Sequence, residues 1–131
     1  MEDFVKIELA IKLKELGFNI PFFFYYRTDD KKLYHLVRSN PLVYGKDIID
    51  TEVVIAPTIA QVLKWLREEK KLHINVDIDE FGWEYRICKF QKVDNEIYNF
   101  DLDYLASYSG EFMSYEEAAL AGIEYVLENL I

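Results

Sequence analysis

The stretch that decides the fold is LHINVDIDEFGWEYRICKF, residues 72–90. Its first eight residues alternate between apolar and polar side chains with a period of two, which is typical of a half-buried β-strand. The apolar set on one face is Leu72, Ile74, Val76 and Ile78, and the polar set is His73, Asn75, Asp77 and Asp79. A turn through residues 79–82 then returns the chain as WEYRICKF, so this stretch predicts an antiparallel hairpin.

Further elements follow on both sides of this hairpin. The run IYNFDLDY, residues 97–104, predicts a third strand and hence a meander. Upstream, Thr58 and Gln61 have the spacing of a capping box directly before an apolar stripe, which predicts the start of a helix. Ser114 and Glu117 repeat that spacing before the final apolar stripe. From Thr58 onward we therefore expect a helix, three strands and a helix.

The N-terminal part predicts another helix and a second hairpin. Apolar residues recur at helical spacing between Phe4 and Leu16, and Gly17 stands where a left-handed residue ends a helix. The run PFFFYYR, residues 21–27, and the run LYHLVR, residues 33–38, are separated by polar residues, as in a hairpin. Val53–Ile55 is predicted as a short edge strand.

Together these elements predict an α+β fold, with an antiparallel sheet (an N-terminal hairpin plus a three-stranded meander) and three helices. The chain has 131 residues and 51% hydrophobic residues, which suits a single domain spanning 1–131. Its one cysteine permits no internal disulfide. The N-terminal segment is too charged for a signal peptide or a membrane span. We therefore expect a cytoplasmic protein.

The charge of the chain limits its partners. Against 15 basic residues there are 24 acidic ones, a net charge of -9. Residues 58–131 carry 7 basic and 15 acidic residues, a net of -8, whereas residues 1–57 carry 8 and 9, a net of -1. Direct binding to nucleic acid or to an anionic membrane requires a basic surface, so neither is expected.

Three stretches carry a resemblance to a family: KLKELGFNIPFFFYY (12–26), APTIAQVLKWLREEKKLHINV (56–76) and SYEEAALAGIEYVLENLI (114–131). In this order and spacing they resemble a family of short proteins of unknown function from gut bacteria of the Bacteroides group and their phages. The resemblance covers most of the chain and implies a role accessory to a mobile element. It implies no catalytic residue and no cofactor.

The order of elements from Thr58 onward is also similar to that of double-stranded RNA-binding domains. Charge disfavours this function, because the final helix begins with Glu116 and Glu117, where phosphate binding requires Lys or Arg. An acidic mimic of nucleic acid, which would occupy the basic groove of a DNA-binding protein, is the opposite possibility. It requires the acidic residues to form a continuous ribbon.

A metal-dependent hydrolase is the alternative that an acidic cluster suggests. Its weak candidate ligands are Asp77, Asp79, Asp101 and Asp103, which could bind magnesium or calcium if the carboxylates converge within about 5 Å. The alternation of the strand explains Asp77 and Asp79 equally well as its solvent side. His35, His73 and Cys88 belong to no nucleophile or metal motif. We therefore predict no catalytic residue, no cofactor and no required metal.

The aromatic run is the least ordinary local feature of the sequence. It consists of Phe22, Phe23, Phe24, Tyr25 and Tyr26. As a strand it would be apolar on both faces, and one layer of helices covers only one face. The alternatives are a buried core strand, with residues 39–51 folded over it, or an interface with a second copy or another protein. The favoured hypothesis is a non-catalytic protein-interaction module that self-associates through this run, rather than an enzyme.

Overall fold

The structure is a computed structural model that describes residues 3–44, 52–89 and 103–131. Its elements, in chain order, are α1 (Ile7–Glu15), β1 (Phe24–Arg27), β2 (Leu33–His35), β3 (Val53–Ile55), α2 (Ile59–Glu69), β4 (Leu72–Asp79), β5 (Gly82–Lys89), β6 (Asp103–Phe112) and α3 (Tyr115–Asn129). Every strand pairing is antiparallel. The predicted α+β fold is confirmed.

The chain divides into two compact units, residues 1–58 and 59–131. The predicted hairpin and the predicted meander are both present, each within a three-stranded sheet of its own. The first unit holds the sheet β2-β1-β3 together with α1, and the second holds β4-β5-β6 together with α2 and α3. The single domain spanning 1–131 stays a prediction.

In the first unit the aromatic strand β1 is central. Tyr25 lies opposite Tyr34 on β2 and opposite Ile55 on β3. The short edge strand expected at 53–55 is therefore confirmed, and it supplies the backbone partner that a hairpin alone lacks. The turn between β1 and β2 includes Lys31 in the left-handed region, with φ 58°.

Helix α1 begins later than the apolar spacing predicts, at Ile7 instead of near Phe4. Phe4 forms an isolated antiparallel bridge with Thr58, and the Val5 N–H donates to the carbonyl of Pro57 at 3.0 Å. These backbone bonds hold the first residues in an extended conformation, because their donors and acceptors are already used outside a helix.

The predicted end of α1 is confirmed. Gly17 has a φ of 92°, and its N–H donates to the carbonyl of Lys14 at 3.1 Å. The N–H of Phe18 donates to the carbonyl of Leu13 at 2.9 Å, and both of these side chains are buried. This pair of hydrogen bonds with its apolar contact is the Schellman motif, which needs a left-handed residue at the position of Gly17.

In the second unit β4 and β5 pair along their whole length, with Ile74 opposite Ile87. The described third strand is β6 at residues 103–112; of the predicted range 97–104, residues 103 and 104 belong to it, and residues 97–102 lie outside the described part of the chain. The alternating signal of IYNFDLDY is stronger than that of DYLASYSGEF, whose small and polar residues show little strand pattern. Cross-strand pairing with β5, which local sequence does not encode, decides the position.

The two helices of the second unit begin where their capping boxes predict. Helix α2 starts at Ile59, directly after Thr58. At the start of α3 the Glu117 N–H donates to the Ser114 hydroxyl oxygen at 3.1 Å, and the Glu117 carboxylate accepts from the Met113 N–H at 2.9 Å. The reciprocal bond of this capping box thus reaches one residue further back than the cap itself.

Helix α3 approaches its sheet closely at Gly122. A Cβ at this position would lie 2.9 Å from Ile74 Cγ2 and 3.3 Å from the ring of Tyr85. Absence of a side chain therefore lets the helix backbone lie on the β4–β5 pair. Among the described residues, no helix has the length and apolar character that crossing a membrane requires.

Candidate functional site

One end of the second sheet has an apolar row on the face that α3 covers. Ile78 of β4 lies opposite Trp83 of β5, which lies opposite Phe112 of β6. Directly opposed residues share a face, and the Tyr115 ring, at the first residue of α3, contacts Trp83 edge-on with centroids 5.9 Å apart. The apolar face therefore extends to the strand ends at the level where α3 begins.

Several large apolar side chains at this end are exposed. The exposed fractions are 62% for Ile78, 77% for Phe81, 86% for Met113 and 39% for Tyr115. We call these four residues the hairpin-end cluster. Phe81 lies in the β4–β5 turn, and Met113 directly follows the row residue Phe112. Single exposed apolar residues are common, whereas large contiguous apolar patches are typical of binding surfaces.

The backbone that carries Met113 is held in place. Its N–H donates to the Glu117 carboxylate, so the side chain projects from the capped start of α3. A hydrophobic residue directly before a helix cap often packs on the helix one turn later, here at Ala118. Met113 is 86% exposed, so its side chain is not used to close the helix end.

Acidic residues surround the hairpin-end cluster. Glu80 is exposed next to Phe81 in the turn, Glu116 follows Tyr115, and the Glu117 carboxylate accepts from the Met113 N–H. Of the acidic residues in 74–85 and 112–131, Glu80, Glu116 and Glu117 adjoin members of the cluster, and these two ranges contain no Lys or Arg. The potential at this end of the unit is therefore negative, because these ranges contain no basic residue that would cancel the charge of the carboxylates.

The predicted acidic metal ligands do not come together where the structure describes them. Asp77 lies opposite Glu84, and Asp103 lies opposite Lys89. Those two β5 positions are five residues apart, which is roughly 17 Å along a strand, so Asp77 and Asp103 cannot bind one ion. Asp101 and the side chains of Asp79 and Asp103 lie outside the description, and within it no group of three His, Cys, Asp or Glu side chains has the arrangement to hold a metal ion.

The polar face of β4 and β5 carries the residues that alternation predicts there. Asp77 is exposed, and Glu84 forms an ion pair with Arg86 at 3.2 Å. Arg86 thus interrupts the acidic residues on this face. Whether the remaining acids form the ribbon of a nucleic-acid mimic stays a prediction.

His73 and Cys88 pair at the other end of β4 and β5 from the hairpin-end cluster, and His35 belongs to the first unit. His35, on the edge strand β2, stacks on the Phe24 ring with centroids 4.3 Å apart. Burial and then the charge of Arg67 lower the pKa of His73. Burial raises the pKa of the Cys88 thiol, which disfavours the reactive thiolate.

The aromatic run, predicted as an interface, is half-buried within its own unit. Strand β1 begins only at Phe24, while Phe22 is 4% exposed and forms a bridge with Leu42. The Tyr25 ring stacks on Tyr34 at 5.5 Å. The Phe24 ring contacts Phe4 and the Phe22 ring contacts Tyr44, with ring centroids 4.9 Å and 5.2 Å apart. The Tyr26 hydroxyl donates a hydrogen bond of 2.6 Å to the Val5 carbonyl.

These contacts bury part of the aromatic run within one chain. The dimer hypothesis had assigned that burial to a second copy. Leu42 and Tyr44 come from the segment after Ser39, which the alternative hypothesis had fold over the run. The side chains of Phe23, Phe24, Tyr25 and Tyr26 are intermediate in exposure. Self-association through this run stays a prediction. The rings that it required to be exposed are partly buried by contacts within the chain.

Sequence analysis did not predict the hairpin-end cluster. Strand alternation assigned Ile78 to the buried face, which is its correct face, but the period of two does not tell where the covering helix begins. Two local signals pointed to the surface nevertheless. Phe81 stands in a turn between Glu80 and Gly82, and Met113 stands directly before a helix cap; both positions are ordinarily exposed.

Comparison with known proteins gives no significant match to a family model, to a curated protein or to a solved structure. The resemblance to the Bacteroides-group family therefore stays a prediction. Function is inferred below from the geometry of the second unit.

Proposed function

We propose that the protein is a non-catalytic interaction module and that the hairpin-end cluster is its binding surface. The observation that supports this proposal is the exposure of Ile78, Phe81 and Met113 at one end of a single sheet. Burying a side chain of this size is worth about 1.5–3 kcal/mol. Burial of these side chains by a partner would therefore contribute several kcal/mol to the free energy of binding.

The backbone around the cluster favours binding without a large ordering cost. Trp83 and Phe112 are opposed residues of paired strands, and Met113 follows a strand and precedes a capped helix. A surface mounted on regular elements loses little conformational entropy when a partner binds. Met113 also has the flexible, polarisable side chain that adapts to irregular apolar partners.

A metal-dependent hydrolase receives no such support. The register of β4, β5 and β6 separates Asp77 from Asp103, so the proposed four-carboxylate site would lose at least one of its ligands. We therefore do not retain it as a second function.

The proposal is tested with a peptide-display library of randomised segments of about twelve residues, selected on the full chain. Selected peptides are then titrated against the wild type, against a Phe81→Ala, Met113→Ala double variant, and against Val37→Ala. Val37 is 87% exposed in the first unit, so its truncation is a matched control. All three substitutions are at the surface, where changes in stability are usually within about 0.5 kcal/mol.

We expect enriched peptides whose affinity falls at least about tenfold in the double variant, because two apolar contacts of about 1 kcal/mol or more are lost. The Val37→Ala control should bind like the wild type. If nothing is enriched, or if the selected peptides bind the double variant unchanged, the hairpin-end cluster is not a binding surface. Sedimentation at about 100 µM, run in parallel, tests self-association through the aromatic run separately.

A further inference from the structure

We infer that the partner of the hairpin-end cluster is a protein segment in which apolar anchor residues are flanked by Lys or Arg. This inference rests on the proposed function and adds the chemical class of the partner. Its basis is the combination of an exposed apolar surface with an acidic surround at the same end of one unit.

The arrangement of charge around the hairpin-end cluster is one-sided. Glu80 adjoins Phe81 in the turn, and Glu116 follows Tyr115 at the start of α3, whereas Asp77 lies on the opposite face of the sheet. The nearest basic residue along β5 is Arg86, which is already paired with Glu84. A partner that places acidic or neutral residues here gains nothing from these carboxylates, whereas a basic partner is attracted and oriented by them.

The same charges argue against a second copy of this chain as the occupant. A symmetric dimer through the hairpin-end cluster would bring the same patch of both copies together. Glu80 and Glu116 would then lie near the same carboxylates of the other copy, and like charges placed together disfavour association. An anionic membrane surface is disfavoured for the same reason.

The size of the cluster indicates a short segment and not a broad surface. Four side chains around the row Ile78–Trp83–Phe112 offer a few apolar contacts, which is the scale on which peptide motifs bind. The basic residues of the partner would lie beside its apolar anchors, at the rim. Rim charges act chiefly on the association rate and its salt dependence.

The experiment uses the peptides selected above and two charge-reversal variants. Glu80→Lys, Glu116→Lys changes the rim, and Glu124→Lys, Glu128→Lys is the matched control with the same change in net charge. Glu128 is exposed and lies 13 residues beyond Tyr115 on α3, about 20 Å along the helix. Binding is measured at low and at physiological ionic strength.

We expect the selected peptides to be enriched in Lys and Arg beside apolar anchors. Their affinity should fall by about 2- to 10-fold per reversed rim charge at low salt, and less at higher salt. The control variant should change affinity much less. A selection on the Glu80→Lys, Glu116→Lys variant should lose the preference for basic residues.

The failure of this inference is distinguishable from failure of the proposed function. Peptides that depend on Phe81 and Met113 but lack basic residues, or that bind the rim variant unchanged, would overturn the basic partner and leave the binding surface intact. Equal effects of the rim and control variants would show attraction by net charge alone, and would overturn it too. Peptides that ignore Phe81 and Met113 would overturn both.

Discussion

Gly17 and Lys71 both have left-handed backbone conformations directly after a helix, with φ of 92° and 57°. A residue with a Cβ costs about 1–2 kcal/mol more than glycine in this conformation, and part of that cost is offset because glycine loses more entropy on folding. A Cβ at Gly17 would meet nothing within 4 Å, so no steric contact adds to the conformational cost. Gly17→Ala should therefore destabilise the protein by about 1 kcal/mol.

The reciprocal change at Lys71 should have the opposite sign. Lys71→Gly removes the conformational cost but also removes the hydrogen bond from Lys71 Nζ to the Glu68 carbonyl, 2.8 Å long and exposed. Lys71→Ala removes that bond and keeps the conformational cost, so it is the matched control. The difference between the Gly and Ala variants at this position should again be about 1 kcal/mol in favour of Gly.

The assay is urea unfolding of all four proteins, followed by far-UV circular dichroism, with midpoint and slope compared. Equal or greater stability of Ala relative to Gly at either position would refute the argument from backbone conformation. The same curves test the single-domain prediction. If residues 1–131 unfold as one cooperative unit, substitutions at Gly17 and at Lys71 shift one common transition; if not, each shifts a different one.

Three further predictions concern packing, pH and capping. Gly122→Ala should destabilise by about 1 kcal/mol in thermal unfolding, because the 2.9 Å approach to Ile74 outweighs the helix propensity of Ala; a gain would contradict this packing. Burial raises the pKa of Tyr44 to about 12 from 10.0, and the hydrogen bond from the Ile55 N–H opposes this shift. The protonated Tyr44 hydroxyl therefore contributes fully to the stability of the fold below pH 10, and this contribution is lost as the pH rises from 10 to 12. Because part of the ring is exposed, the expected loss of unfolding free energy is reduced to about 1–2 kcal/mol. Tyr44→Phe should abolish this part of the pH dependence in urea titrations. An unchanged pH profile in the variant would contradict the role of Tyr44. Ser114→Ala should lower the unfolding free energy by about 1 kcal/mol, and an unmoved urea midpoint would mean that the observed cap adds nothing.

Local signals were sufficient for most of the helices and strands. Gly17 ends α1 because the left-handed conformation is cheap only for glycine, and Ser114 begins α3 because its hydroxyl accepts an otherwise unpaired N–H. The hairpin of β4 and β5 follows from a period of two on either side of a turn. Each of these depends on neighbours within a few residues, which a sequence displays directly.

The start of α1 and the position of β6 depended on partners distant in the chain. Phe4 is extended because it pairs with Thr58, and the third strand continues to Phe112 because it pairs with β5. Nothing in the local sequence encodes these pairings. The half-burial of the aromatic run likewise depends on rings such as Tyr34 and Tyr44, which only folding brings beside it.

The sequence by itself determined the fold class, the helix ends at Gly17 and Ser114, the places of the turns and the excess of acid in residues 58–131. Only the tertiary structure decided which apolar residues remain in contact with water. Ile78 and Ile74 have the same place in the alternating pattern, yet Ile74 is 5% exposed and Ile78 is 62% exposed. Gly122 lies over Ile74, whereas α3 begins at the level of Ile78 and leaves it uncovered. Burial is a property of what packs on a face, and periodicity specifies only the face.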